Sequence, residues 1–165
     1  MSENIHVQTA EEQVRTAYAD VHDDKDNKER CLSFLTSEFV PITEVIQLTH
    51  LIGRYNRFNP EDTNDRLDQV IERDPQARVA IGREGSPVLY IETKDQRMVL
   101  DVFGNYPDEA SEVEVPEDIG NARKYVEEDW DIDPHSKCRH ESPPVAVEDY
   151  PECNTDLSYV RLWWD

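Results

Sequence analysis

The chain has 165 residues, 37 acidic and 17 basic, for a formal net charge of -20; 37% of its residues are hydrophobic and 33% charged. That length suits one domain, or a small domain with a long appendage, and allows an apolar core without disulfide staples. No apolar run approaches the roughly 18 residues that span a bilayer, and the start MSENIHVQTAEE lacks the basic and apolar stretches of a secretory leader. The charge argues against ordinary electrostatic binding to nucleic acid or anionic membranes, so a cytoplasmic protein without a membrane partner is expected.

Residues 1–8 read as a loose end. Thr9 and Glu12 then form a capping box, and Val14, Ala17, Tyr18 and Val21 follow on one helical face. Asp26 and Glu29 repeat the pattern for a second helix, with Cys31, Leu32, Leu35 and Phe39 on its apolar face and Val40-Pro41 ending it. Pro41 suits the first turn of a third helix whose stripe is Ile42, Val45, Ile46, Thr49 and Ile52. Asn59-Pro60-Glu61-Asp62 opens a fourth, which runs to about Arg73 before Asp74-Pro75 stops it. Leu67, Val70 and Ile71 face inward there, while Asp62, Arg66, Gln69 and Arg73 share an outer stripe.

The period then changes to two. Arg78–Ile81 reads as a strand, Gly82–Pro87 as a turn, Val88–Thr93 as a strand, Lys94–Gln96 as a turn and Met98–Phe103 as a third strand, an antiparallel meander. After Gly104 the chain becomes more acidic. Residues 1–104 carry 20 acids and 12 bases, and residues 105–165 carry 17 acids and 5 bases. Asn105–Val115 reads as a connection, Pro116-Glu117-Asp118 opens a helix bearing Ile119, Ala122, Val126 and Trp130, and 131–156 reads as irregular. Leu157–Trp164 is β-prone and too apolar to hang free, so it should dock on this chain or on a partner. The fold class expected is α+β: a helical domain with a β-meander at 1–104, and an acidic extension at 105–165 with one helix and a terminal strand.

Only five of the bases are lysine and 12 are arginine. Abundant Asp and Glu with scarce Lys resembles the composition of haloarchaeal proteins and those of their viruses. On that resemblance the carboxylates hold water and cations at a surface bathed in brine, where the Debye length is about 3 Å or less. The competing reading is an acidic interaction protein or a nucleic-acid mimic. Between Arg54 and Arg97, 9 acids meet 8 bases, and there alone a polyanion could plausibly approach.

The order of elements over Lys28–Phe39, Pro41–Tyr55, Asn59–Arg73 and Arg78–Thr93 resembles the winged helix-turn-helix family. The resemblance covers about 66 positions and rests on element order and spacing. It implies that the helix at 60–73 enters a major groove, with Arg66, Gln69 and Arg73 facing bases, Arg78 and Arg83 facing phosphates, and Arg54 and Arg57 adding backbone contacts. Asp62, Asp65, Asp68 and Glu72 on the same helix depart from that pattern, because carboxylates repel phosphates. Pairing of Arg66 and Arg73 with neighbouring acids, and use of the unit for protein contacts, therefore stand as the alternative.

His135, Cys138, His140 and Cys153 could supply two imidazoles and two thiolates to a tetrahedral zinc ion, although their spacing matches no common zinc module. Reduced buried cysteines with surface histidines, or a Cys138–Cys153 disulfide in a particle outside the cell, are the other readings. Trp163 and Trp164, after a proline-rich arm, could anchor a partner interface. There is no Gly-rich phosphate loop and no nucleophile elbow. Cys31 sits on the apolar face of its helix and His50 is flanked by Thr49 and Leu51 in a buried-looking helix, so a buried structural role is the simpler reading of both. The expectation is a non-enzymatic nucleic-acid-binding or regulatory protein of a halophile. Its alternative is a structural or adaptor protein, for example of a virion, that contacts another protein or a second copy of itself.

Overall fold

The computed structural model describes residues 9–19, 33–36, 38–84, 86–113, 154 and 156–165. Helix α1 (Ala10–Ala17) starts at the capping box: the Thr9 hydroxyl accepts from the Glu12 N–H and the Glu12 carboxylate accepts from the Thr9 N–H. Strand β1 (Ser33–Leu35) and the two-residue β2 (Val40–Pro41) follow, then α2 (Ile42–Ile52). Gly53 ends α2 at a positive φ of 69°. Helix α3 (Pro60–Arg73) has Asn59 as its cap, accepting from the Glu61 N–H at 2.9 Å, and Pro60 in its first turn.

Strands β3 (Arg78–Glu84) and β4 (Pro87–Thr93) form a hairpin; α4 (Gln96–Phe103), β5 (Glu109–Val113) and β6 (Ser158–Trp163) complete the fold. Among the described residues all strands are antiparallel, in the order β1-β3-β4-β6-β5, with β2 also pairing with β3. β1 and β2 therefore share one edge of β3. Thr36 bridges them: its N–H donates to the Ile81 carbonyl at 2.8 Å and its hydroxyl accepts from the Ile81 N–H at 3.0 Å.

The alternation of the strands sorts the sheet into two faces. Val79, Ile81, Leu89, Ile91, Val160 and Leu162 lie on one, all fully buried. The helices pack over it in chain order, α1 on α2, α2 on α3 and α3 on α4. Ala80, Val88, Tyr90, Glu92 and Tyr159 lie on the other face and are also buried; Phe39 meets Tyr159 there, ring centroids 5.4 Å apart. A sheet buried on both faces explains the near-continuous apolar run of β4.

Three expected elements differ. The helix over Cys31–Phe39 is replaced, over the described residues, by β1 and the Thr36 bridge. The short apolar run fits either period, and the open backbone groups of β3 select the strand. Met98–Phe103 is α4 rather than a third strand. Asp95 caps it by accepting from the Met98 N–H at 3.1 Å, and Gly104 ends it at a positive φ of 54°. The acidic connection holds β5, an edge strand with four exposed residues, two of them glutamates. The Gly82–Pro87 turn is also shorter than expected, since β3 continues through Gly82, Arg83 and Glu84. The helix expected from Pro116 and nearly all of the irregular 131–156 segment lie outside the described residues.

The terminal strand docks on this chain. Trp164 has no exposed surface and sits among Phe58, Phe103 and Tyr106, with centroid distances of 5.0, 6.4 and 5.4 Å. Trp164→Ala should lower the unfolding free energy by about 3–5 kcal/mol, and Trp163→Ala, at a half-buried position, by less. Denaturant unfolding of both variants checks this; equal effects would contradict the packing.

Candidate interaction surfaces

The seven residues assigned to nucleic acid meet different surroundings in the fold. Arg83 leaves the phosphate role altogether: it is fully buried. Its guanidinium donates to the Ala17 carbonyl at 2.8 Å and the Tyr55 hydroxyl at 3.1 Å, and it lies over the Tyr18 and Tyr55 rings. The physical reason is the longer β3, which turns a supposed loop arginine inward between α1 and the segment after α2. Trp164 is likewise withdrawn from partner contact by its burial, while Trp163 remains half-buried.

Arg78 pairs with Glu92 across the hairpin at 2.6 Å, and Glu92, 1% exposed, also accepts from the Tyr159 hydroxyl at 2.5 Å. The two residues face each other in register, so the fold itself builds this pair. Arg57 pairs with Asp108 at 2.7 Å. The Asp165 N–H donates to the same carboxylate, and the Arg57 N–H donates to the Asp165 carbonyl. The Asp165 N–H first, then Arg57, hold Asp108 below the usual carboxylate range. Arg66 lies over the Tyr106 ring at 4.5 Å and donates to the Asp62 carbonyl at 3.3 Å. Gln69 donates to the Asp65 carbonyl at 3.4 Å. Arg54 and Arg73 are exposed. The winged-helix pattern thus lacks its first helix over the described residues, and Arg57, Arg66, Arg78 and Arg83 are each engaged within this chain.

Two features escaped the sequence reading. One is a cleft of about 640 Å³ between α1, β2 and α2, with Ala10, Val40, Leu48 and Leu51 as its apolar lining. Its rim carries the Glu11–Arg15 pair at 3.0 Å, together with Glu38 and Glu44. The other lies where α3 ends and α4 begins. Asp74, 3% exposed, accepts from the Thr93 hydroxyl at 2.8 Å, the Lys94 N–H at 3.0 Å and the Gln76 N–H at 3.3 Å. That carboxylate ties the end of α3 to the start of α4, leaving Lys94 and Arg97 exposed beside Arg73. The Asp95 cap signal could have revealed α4 and with it this juxtaposition.

A polar cluster joins α2 to α3. The Thr49 hydroxyl meets Asn64 Oδ1 at 2.7 Å, Asn64 Nδ2 donates to the Ile46 carbonyl at 3.0 Å, and His50 Nε2 lies 3.4 Å from Asn64 Nδ2. This is helix-to-helix hydrogen bonding. Among the described residues no group of three or more His, Cys, Asp or Glu is arranged to hold a metal ion. His135, Cys138, His140 and Cys153 lie outside those residues. No described helix is long and apolar enough to cross a membrane.

Comparison with protein-family models, curated proteins and solved structures finds no match to this chain.

The Tyr106 hydroxyl accepts from the Asn59 N–H at 2.6 Å and donates to the Asn59 carbonyl at 3.0 Å, fastening the loop after α4 to the start of α3. Burial, with Asp62 adding, pushes its phenol above the ordinary 10.0, against hydrogen bonds from Thr63 and Asn59 and the charge of Arg66. A raised pKa in the folded state means that its contribution is complete below the unfolded value and is lost as pH rises through the folded one. Tyr106→Phe should be less stable than wild type at neutral pH. The difference should shrink as pH passes about 10, read from denaturant unfolding of both proteins across that range.

Proposed function

We propose that this is a non-enzymatic protein-interaction module of a halophile, an adaptor rather than a reader of duplex DNA. The observation that carries the proposal is the consumption of the candidate arginines within the fold. Arg83 is buried, Arg78 and Arg57 neutralise carboxylates of this chain, and Arg66 covers a tyrosine. What remains on α3 is Arg73 among exposed Asp62, Asp65, Asp68 and Glu72, a helix face that a phosphate backbone would not favour.

The cleft between α1 and α2 offers the concave surface such a module needs. Its apolar lining suits one or two apolar anchors of a partner segment. Glu38 and Glu44, for which no ion pair forms among the described residues, suit a basic flank beside those anchors. The occupant proposed is therefore a protein segment with apolar anchors next to Lys or Arg. On this reading the surplus carboxylates are an adaptation to concentrated salt, and partner choice depends on contacts within a few ångströms.

Two measurements test the reading. In a duplex-DNA binding assay at molar potassium chloride, neither wild type nor Arg66→Ala/Arg73→Ala should bind. Binding by wild type that the double variant loses would reverse the proposal. For the brine reading, the thermal midpoint should rise from dilute to molar potassium chloride as repulsion within a chain of charge -20 is screened. An unchanged or falling midpoint would remove it.

A further inference from the structure

Two helices wall the cleft between α1, β2 and α2, and each does so with one face. Glu44, Gln47, Leu48 and Leu51 line it from α2, at the i, i+3, i+4, i+7 spacing of a single helical stripe. Ala10, Glu11 and Arg15 line it from α1, Glu11 and Arg15 being one turn apart. Val40 of β2 and Leu48 are 5% and 7% exposed, and Ala10 and Leu51 are half-buried. Helix α1 has 8 residues and α2 has 11, so about 12–16 Å of helix borders the groove.

Charge along this groove is graded. Glu38 lies ahead of β2 and Glu44 in the first turn of α2, while Leu48 and Leu51 follow Glu44 by one and two turns. Among the described lining residues Arg15 is the one cation, and Glu11 engages it at 3.0 Å. Glu38 and Glu44, both exposed, are left without an ion pair among the described residues. Carboxylates and apolar groups border one space, so an occupant meets both together. Its backbone decides its form. Among the described strands β2 lines the cleft; it has two residues, and the second, Pro41, carries no N–H. It offers almost no ladder to an added strand. An extended segment would lay unpaired N–H and C=O groups against Val40, Leu48 and Leu51, a cost that a helix avoids by satisfying its own backbone.

We propose that the occupant is an amphipathic helix of a partner protein, with apolar side chains at i and i+4 against Leu48 and Leu51 and a Lys or Arg one to two turns away at Glu38 and Glu44. This inference rests on the adaptor reading and adds to it the form and polarity of the partner. A helix in a groove between two helices sets its apolar stripe between theirs. The apolar anchors supply most of the affinity, and the rim ion pairs fix the direction. Turned end for end, the partner would place its apolar pair against carboxylates and its base against leucines. A second copy of this chain suits the groove less well, because the outer face of α3 carries exposed Asp62, Asp65, Asp68 and Glu72 and would set acid against acid.

The test uses the full chain in molar potassium chloride and alanine-rich peptides of about 15 residues. The first carries two leucines four apart and two lysines one to two turns further along the same face. The second replaces a central alanine by proline, which breaks the helix; the third replaces the lysines by glutamates. The first should shift amide resonances around the cleft and give transferred NOEs of helical pattern, and the other two should bind about tenfold more weakly. Glu38→Gln/Glu44→Gln should weaken the first peptide about fivefold. Asp65→Asn/Asp68→Asn, which removes the same charge from α3, should leave it unchanged. All four positions are exposed, and unchanged amide spectra away from the cleft verify that the variants are folded. Equal binding of the proline peptide at the cleft would overturn the helical occupant and leave the adaptor reading standing. Silence of every peptide would remove the cleft from both. Equal loss in the α3 variant, or cleft resonances that move with protein concentration alone as for a second copy, would also overturn the proposal.

Discussion

The insertion of β6 between β4 and β5 holds this fold together. Its backbone pairs with both neighbours over five or six positions, from Ser158 to Trp163. Trp164 follows directly and fills the space among Phe58, Phe103 and Tyr106, so it fastens the sheet to the start of α3, to α4 and to the loop after it. Asp165 closes the same end through Asp108 and Arg57. Without β6, β5 has no neighbour among the described strands, and α4 loses one of the two strands it packs on. The contacts that close the sheet span long separations, 67 residues between Tyr159 and Glu92. Chain entropy opposes such closure, with a cost that grows slowly with loop length, and such contacts are characteristic of slow-folding topologies.

Burial of β6 next to β4 also requires the polar groups there to be matched. Glu92 stands opposite Arg78 on one side and Tyr159 on the other, so a buried carboxylate meets a guanidinium and a phenol in register. Such a pair adds little net stability but is costly to break from one side, so it favours this register over a slipped one. Arg83 does comparable work at the other end of β3, where carbonyl and hydroxyl oxygens and two aromatic faces receive a cation removed from water. Asp74 performs it between α3 and β4 with three donors. Each buried polar group joins two elements that sequence alone leaves unrelated.

Elements whose ends carry local chemistry were legible. The Thr9–Glu12 box marks α1 and Asn59-Pro60 marks α3, because capping is settled within four residues. A short apolar run fits both periods: over Cys31–Phe39 the decision belongs to a distant partner, Ile81 for Thr36, whereas over Met98–Phe103 the Asp95 cap and Gly104 carry a local helix signal that the apolar run outweighs in the reading. β5 was hidden because four of its five residues face solvent and carry no apolar alternation. At the candidate sites, side-chain type was visible but burial was not. Arg83 and Arg73 are alike in being expected to face nucleic acid, one its phosphates and the other its bases; one is wholly enclosed and the other exposed.

That difference governs how charge should be read in so acidic a chain. Net charge describes the potential far from the surface, and salt removes it within a Debye length. What persists is which ionised groups the fold leaves in reach of a partner. Here Glu92 and Asp74 are turned inward and Arg83 is enclosed, whereas Glu38 and Glu44 border a cleft, and Arg73, Lys94 and Arg97 are exposed near Glu72, Asp95 and Asp101, which are exposed as well. The sheet register and the Asp74 junction thus decide which charged groups each surface displays. A partner at contact distance meets those individual groups, and the molecular total of -20 says little about which of them it engages.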